Sequence, residues 1–351
     1  MTAPQFRLSR RAALRAAVGA SALAALGGTL GACSSSGGNP VRVGYFPNLT
    51  HAPGLIADAT GLFTKRIGAD VATKSFNAGP DVIQAILSGS LDISYIGPNP
   101  TVTAYIQSGG QGIRVISGST SGGASLVVKP TITSPAQLKG KKLATPQLGN
   151  TQDVALRFWL ADHGLKTDKD GGGDVSILPQ ANSAAVQAFS SGSIDGGWLP
   201  EPFATRLVEA GGKVLVDERD LWPNRQFVVT NVIARTDFLQ SNPAGVRAFI
   251  DAHLDALDAI AADAAGSRKT LAEQIKKITS QELKASVLEK SWSKLEFLAN
   301  PLAATLRTSA EHADKIGLLP KKSSDNFAKL YDVNVLNTAL SARGKPGVGT
   351  S

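Results

Sequence analysis

One short unit occurs twice in this chain, and it narrows the choice of fold more than any other feature. The first copy, QAILSGSLDISYIGPNP, runs from Gln84 to Pro100; the second, QAFSSGSIDGGWLPEPF, runs from Gln187 to Phe203. Each reads as a helix end, a Gly stop inside Ser-Gly-Ser, an aliphatic–Asp pair and a short strand. The strand carries Tyr95 in one copy and Trp198 in the other, and a proline-containing loop then opens the next helix. Both following segments end in Gly-Gly, at Gly109-Gly110 and Gly211-Gly212. A chain that builds one helix–strand–loop unit twice predicts two α/β lobes, and 351 residues are enough for both.

The surrounding pattern extends each copy into a lobe. VRVGYF from Val41 predicts a strand, HAPGLIADATGLF a helix with Thr50 placed to cap it, and PDVIQAILSG an amphipathic helix stopped at Gly89. LDISYIG and IRVISGS then read as strands around the helix PTVTAYIQSGG. From Lys139 the rhythm repeats: KKLATP, DVSILP, IDGGWL and KVLVDE are strands, with three helical segments between them. Alternation of this kind predicts a parallel or mixed sheet covered by helices. SLVVKP from Ser125 and QFVVTNVIAR from Gln226 are strand-like without a tight hairpin between them, and are read as the two crossings between lobes. The boundaries expected are residues 41–126 plus 232–340 for the first lobe and 127–231 for the second. The helical segments after Asn242 are assigned to the first lobe, and 341–351 to a loose tail.

Charge excludes one class of function. The formal net charge is +8, but four arginines and no acid stand in the first 33 residues, so half of it lies there. The remaining basic residues are interspersed with acids, without the basic run or aromatic–basic interleaving of a nucleic-acid binder. MTAPQFRLSRRAALR followed by AAVGASALAALGGTLGA reads as an export signal over residues 1–32, too short and Gly-rich for a good membrane span. Its Ser9-Arg10-Arg11 stretch resembles a twin-arginine signal, and the Sec route is equally open. Leu30-Gly31-Ala32-Cys33 resembles a bacterial lipobox and contains the chain's single cysteine. Residues 33–40 continue as a Ser/Gly tether, so Cys33 is read as the lipidated first residue of a protein held on the outer membrane face. No intrachain disulfide is possible with one cysteine.

Catalytic signatures are missing from the sequence. His51, His163, His253 and His312 are scattered without metal-ligand spacing, and there is no phosphate loop, dinucleotide fingerprint or nucleophile elbow. His253 reads as a packing residue, and the run Asp168–Asp174 as a solvated loop, because Pro179 stands where a calcium loop needs a bidentate Glu. No cofactor and no metal are expected. Five strand-end loops instead carry polar side chains at helix starts: Asn48, Thr50 and His51; Asn99 and Thr101; Ser119 and Thr120; Gln147, Asn150, Thr151 and Gln152; Trp198 and Glu201. Ligands of open α/β sheets bind outside the carboxyl ends of the strands, where free helix N–H groups suit an anion. Each such residue is also an ordinary cap taken singly.

The order of these motifs carries a resemblance. The lipobox, VRVGYFPNLTHAPGLIADATGLF, SGSLDISYIGPNP, LATPQLGNTQDVAL and GSIDGGWLPEPFATRLVEAGG are similar to substrate-binding proteins of ABC importers for nitrate, sulfonates and taurine, over Val41 to at least Leu239. The resemblance implies a type II periplasmic-binding-protein fold that closes on a small anionic or zwitterionic solute and acts as a monomer. It also implies delivery to a permease with a cytoplasmic ATPase, and ligand contacts in the loop after the first strand, near Asn99, near Thr151 and at Trp198. Trp198-Leu199-Pro200-Glu201 departs from the Trp-Asp-Pro or Trp-Asn-Pro of sulfonate binders. Glu201 there either turns away as a first-turn helix acid or meets a cation, and the second case favours taurine. A nitrate ligand, an aromatic thiamine-type pyrimidine stacked on Tyr45, Phe46, Tyr95 and Trp198, and an enzyme on the same fold are the alternatives.

Overall fold

The computed structural model describes residues 40–68, 71–319 and 327–350. The export signal, Cys33 and nearly all of its tether lie outside the described residues. Among the described residues no helix is long and apolar enough to cross a membrane.

The chain forms a six-stranded and a five-stranded mixed sheet. In chain order the first lobe opens with β1 (Val41–Tyr45), α1 (Ala52–Ala59), α2 (Leu62–Ile67), β2 (Val71–Ser75), α3 (Gly79–Leu87), β3 (Ile93–Ile96), α4 (Pro98–Gln107) and β4 (Ile113–Gly122). The second lobe holds β5 (Ala124–Val128), β6 (Lys142–Thr145), α5 (Thr151–Asp162), β7 (Ser176–Pro179), α6 (Asn182–Ser190), β8 (Gly196–Pro200), α7 (Phe203–Glu209) and β9 (Lys213–Asp217). The chain then returns through β10 (Val228–Arg235) to α8 (Thr236–Ser241), α9 (Pro243–Ala262), α10 (Ala264–Thr279), α11 (Ala285–Trp292), β11 (Leu295–Phe297), α12 (Ala303–Lys315) and α13 (Asn334–Ser341). The strand orders are β11-β4-β10-β3-β1-β2 and β7-β6-β8-β5-β9.

The duplicated unit occupies equivalent places in the two sheets. β3 lies between parallel β1 and antiparallel β10, and β8 lies between parallel β6 and antiparallel β5. Asp92 accepts from the Arg42 backbone N–H at 2.9 Å and pairs with the Arg42 and Arg235 guanidiniums. Asp195 accepts from the Lys142 backbone N–H at 2.9 Å and from Lys129 Nζ at 2.8 Å. In each lobe, then, the repeated aspartate ties a parallel neighbour strand to the basic end of the antiparallel one. Burial alone would raise both carboxyls, but the bonds from Arg42 and from Lys129 hold them below the usual carboxylate range. Both groups therefore bind a proton less readily folded than unfolded. Their contribution is whole above about pH 4–5 and is lost as pH falls through the carboxylate range. Replacing Asp92 by Asn should lower stability at neutral pH by about 1–3 kcal/mol. It should also flatten the acid limb, read by urea unfolding between pH 3 and 7. An unchanged acid limb would refute the assignment.

Three expectations change in the structure. SLVVKP and QFVVTNVIAR are not themselves crossings: β5 lies wholly in the second sheet and β10 wholly in the first. Both are buried central strands, which is why they read as continuous apolar runs. The outward crossing is Gly122-Gly123, where φ values of 78° and 75° favour glycine, and the return is the segment between β9 and β10. Nor do the C-terminal helices keep to one lobe. α9 packs on α1 and α2, but α11 packs on α7 and α12 on both α4 and α5. The end of the chain is held rather than loose: Asp251, Asp255 and Asp258, on one face of α9, accept from Arg343, and Asn337 brackets Val348 through both its amide groups.

Candidate functional site

The cleft between the lobes is lined by helix starts from both sides. The first lobe contributes the 3₁₀ turn Leu49–His51 leading into α1, Gly79 at the start of α3, and Gly97 and Pro100 at the start of α4. The second contributes Asn150, Thr151 and Gln152 at the start of α5, Asn182 at the start of α6, and Pro200 at the end of β8. Empty space there amounts to about 360 Å³ including the mouth, of which about 20 Å³ is open to the centre of a water molecule. No lining side chain is a carboxylate, a lysine or an arginine. The first N–H groups of a helix have no partner within it. Prolines remove some of them from α3 and α4, and Asn150 takes one of α5. The rest, chiefly from α5 and α6, leave partial positive charge around a small polar hole.

Each donor is fixed by its neighbours. Asn150 caps α5 by accepting from the Asp153 N–H at 2.9 Å, and its amide donates to Gln152 Oε1. Asp153 is itself held by Thr145, the Gly149 N–H and Arg157, so the N-terminus of α5 is rigidly aimed. Thr50 does not cap α1: it lies inside the 3₁₀ turn and donates to Asn48 Oδ1 at 2.8 Å. His51 Nδ1 accepts from the Phe46 N–H at 3.2 Å, which places the proton on Nε2. Burial pushes the His51 imidazole down to about 3, so it is neutral and offers an N–H without a charge. Asn182 Oδ1 is buried with no partner among the described residues. Gly97 has ordinary extended angles but must be small, since a Cβ there would lie within 2.2 Å of Thr151 Oγ1 across the cleft.

Of the sequence-expected residues, Asn48, Thr50, His51, Asn150, Thr151 and Gln152 meet at this cavity. The others are occupied elsewhere. Asn99 exchanges hydrogen bonds with Ser309 of α12 at 2.8 and 3.0 Å. Thr101 donates to the Gly97 carbonyl and accepts from Asn231, while Ser119 and Thr120 are buried within β4 beside one another. Gln147 reaches Asp81 at the edge of the cleft. Trp198 is fully buried, donating to Glu218 at 2.7 Å and meeting Trp159 edge-on, so it offers no face to a ligand. Glu201 is likewise buried and is absent from the cavity wall, standing just before α7 rather than in its first turn. It accepts from the Thr205 N–H in the first turn of α7, and it meets a cation that belongs to the protein, Lys294 Nζ at 2.8 Å.

Phe46 entered the sequence reading only as a stacking platform for an aromatic ligand, and Asn77, Gly79, Pro146 and Asn182 were missed. Asn77 and Asn182 follow β2 and β7, so the rule that singled out the other strand-end loops also covers them. β2 escaped notice because VATKS is a polar, exposed edge strand without an apolar run. His253 is a buried packing residue, bonded to Tyr95 and the Gly118 carbonyl. In the Asp168–Asp174 loop Asp168 accepts from the Gly172 N–H, and Asp174 from the Lys166 N–H just before the loop, as in a solvated turn.

Two α/β lobes of like topology, closing on a small polar cavity between helix N-termini, define the periplasmic binding proteins. Solved structures agree in fold. The alkanesulfonate-binding protein SsuA of Xanthomonas axonopodis pv. citri bound to MOPS superposes with a TM-score of 0.66 at 21% identity, over 81% of this chain and 96% of that one. The periplasmic nitrate-binding protein NrtA of Synechocystis PCC 6803 gives 0.69 at 16%, over 87% and 89%. In sequence, the taurine-binding periplasmic protein of Escherichia coli (strain K12) is 30% identical over 207 residues, 58% of this chain and 62% of that protein. The match to the NMT1-like family runs over residues 35–276, and the chain belongs to that family.

Proposed function

We propose that this protein is the extracytoplasmic solute-binding component of an ABC importer, and that its cleft captures a small sulfonate by its anionic head. The carrying observation is the convergence of the starts of α3, α4, α5 and α6 on a cavity lined by uncharged donors. A sulfonate is fully ionised at neutral pH and only accepts hydrogen bonds, which neutral His51, Thr151 and free helix N–H groups supply. Leaving out arginine keeps affinity moderate, and a carrier must release its cargo. The sulfonate, taurine and nitrate binders among its relatives support an anion. Nitrate is the second reading, favoured by the small inner volume. Closure of the lobes about Gly122-Gly123 and the β9–β10 segment, lipid anchoring at Cys33 and delivery to a permease with its ATPase complete the proposal.

Calorimetry on the purified protein tests it. Methanesulfonate should bind, and Thr151→Ala should weaken it by about 1.5–3 kcal/mol, roughly one to two decades in Kd. Micromolar binding of a thiamine-type pyrimidine with no binding of any sulfonate or of nitrate would overturn the reading.

A further inference from the structure

A second chamber opens directly outside the polar cavity. It offers about 370 Å³ to the centre of a water molecule, against about 20 Å³ inside, and shares Phe46, Asn48, Asn77 and Asn182 with the inner wall. Its apolar surface comes from separate parts of the chain: Phe46 after β1, Phe76 after β2, Phe203 at the start of α7 in the second lobe, and Ile278 near the end of α10. No residue lining it is ionisable. The cations nearby are Lys74, 5.1 Å from the centre of the Phe76 ring, and Arg206, 5.7 Å from that of Phe203. The one carboxylate that the sequence offered to a ligand ammonium, Glu201, is buried and paired with Lys294.

From this geometry we infer that the outer chamber takes an uncharged, ring- or chain-shaped tail of the same solute whose anionic head enters the inner cavity. The inference rests on the anion reading above and adds the class of substrate: an amphiphilic monoanion, not a zwitterion and not an inorganic ion. Adjacency of the two spaces names the occupant, since Phe46, Asn48, Asn77 and Asn182 border both, and a head in one stands next to a tail in the other. Three phenylalanines gain by covering an apolar tail, and the gain scales with the area removed from water. An ammonium at the same place would lose its hydration and find no carboxylate on the chamber wall, two of whose phenylalanines already carry the cations Lys74 and Arg206. Inorganic nitrate would leave the chamber filled with water.

Isothermal titration of the full chain with four sulfonates separates the cases. p-Toluenesulfonate should bind more tightly than methanesulfonate by roughly ten- to a hundredfold. Ethanesulfonate should bind more tightly than taurine, which differs from it by the ammonium alone. In Phe203→Ala the toluenesulfonate-to-methanesulfonate ratio should fall towards one, and the milder Phe203→Leu should keep part of it. Taurine binding as tightly as ethanesulfonate would overturn the inference. So would methanesulfonate or nitrate binding with no gain from a tail, which leaves the anion reading standing. Failure of every anion to bind would remove both.

Discussion

Gly97→Ala is expected to weaken solute binding by about one to two decades while leaving the fold of each lobe intact. At φ −73° and ψ 161°, any residue can occupy position 97, so the local backbone is not strained by the change. The new methyl would instead fall 2.2 Å from Thr151 Oγ1 and 3.4 Å from its Cβ, on the opposite jaw of the cleft. Thr151 can turn away only by giving up the orientation of its hydroxyl, and the lobes can accept the methyl only by parting. Overpacking of this kind costs about 1–3 kcal/mol, borne by the closed form rather than by the lobes themselves. The double variant Gly97→Ala with Thr151→Gly should restore closure, though not the lost hydroxyl. Scattering should show a larger radius of gyration for Gly97→Ala than for the double variant. Equal radii, with unchanged affinity, would remove Gly97 from the closing surface.

Lys294→Ala is expected to lower the stability of the whole protein by about 3 kcal/mol or more. Glu201 has no exposed surface, and its carboxylate is shared among Lys294, the Ser291 hydroxyl and the Thr205 N–H. It stands at the end of β8, whereas Lys294 stands just before β11 of the first sheet, so the pair fastens one lobe to the other. The same residue's carbonyl accepts from the Leu49 N–H at 3.1 Å, which binds the first ligand-facing turn to the second lobe. Removing the lysine strands a buried carboxylate; replacing Glu201 by Gln removes the charge but keeps the hydrogen bonds to Ser291 and Thr205 in reach. Urea unfolding should therefore rank Lys294→Ala below Glu201→Gln, with the double change Glu201→Gln and Lys294→Met recovering part of the loss. Equal stability of Lys294→Ala and the parent protein would show that the pair is solvated in solution.

The sequence by itself determined what repeats along the chain. Gly stops, Asp at the strand starts and prolines in the first turn of α4 act over a few residues, so the two copies of the unit, their strands and their helices were legible. The doubling also implied two lobes of one design, which β2-β1-β3-β10-β4 and β7-β6-β8-β5-β9 repeat strand for strand. The polar starts of α5 and of the 3₁₀ turn were legible too, because a helix N-terminus needs donors and acceptors whatever it faces. Tertiary structure alone decided which of these polar groups face the cleft. Asn99 was claimed by Ser309, 210 positions away, Glu201 by Lys294, 93 positions away, and Trp198 by the buried Glu218. A side chain at a strand end serves either the solute or a distant helix, and local spacing is the same in both cases. The C-terminal segments settled two of these cases, Ser309 of α12 holding Asn99 and Ser291 of α11 with Lys294 holding Glu201, whereas Trp198 is held within the second lobe.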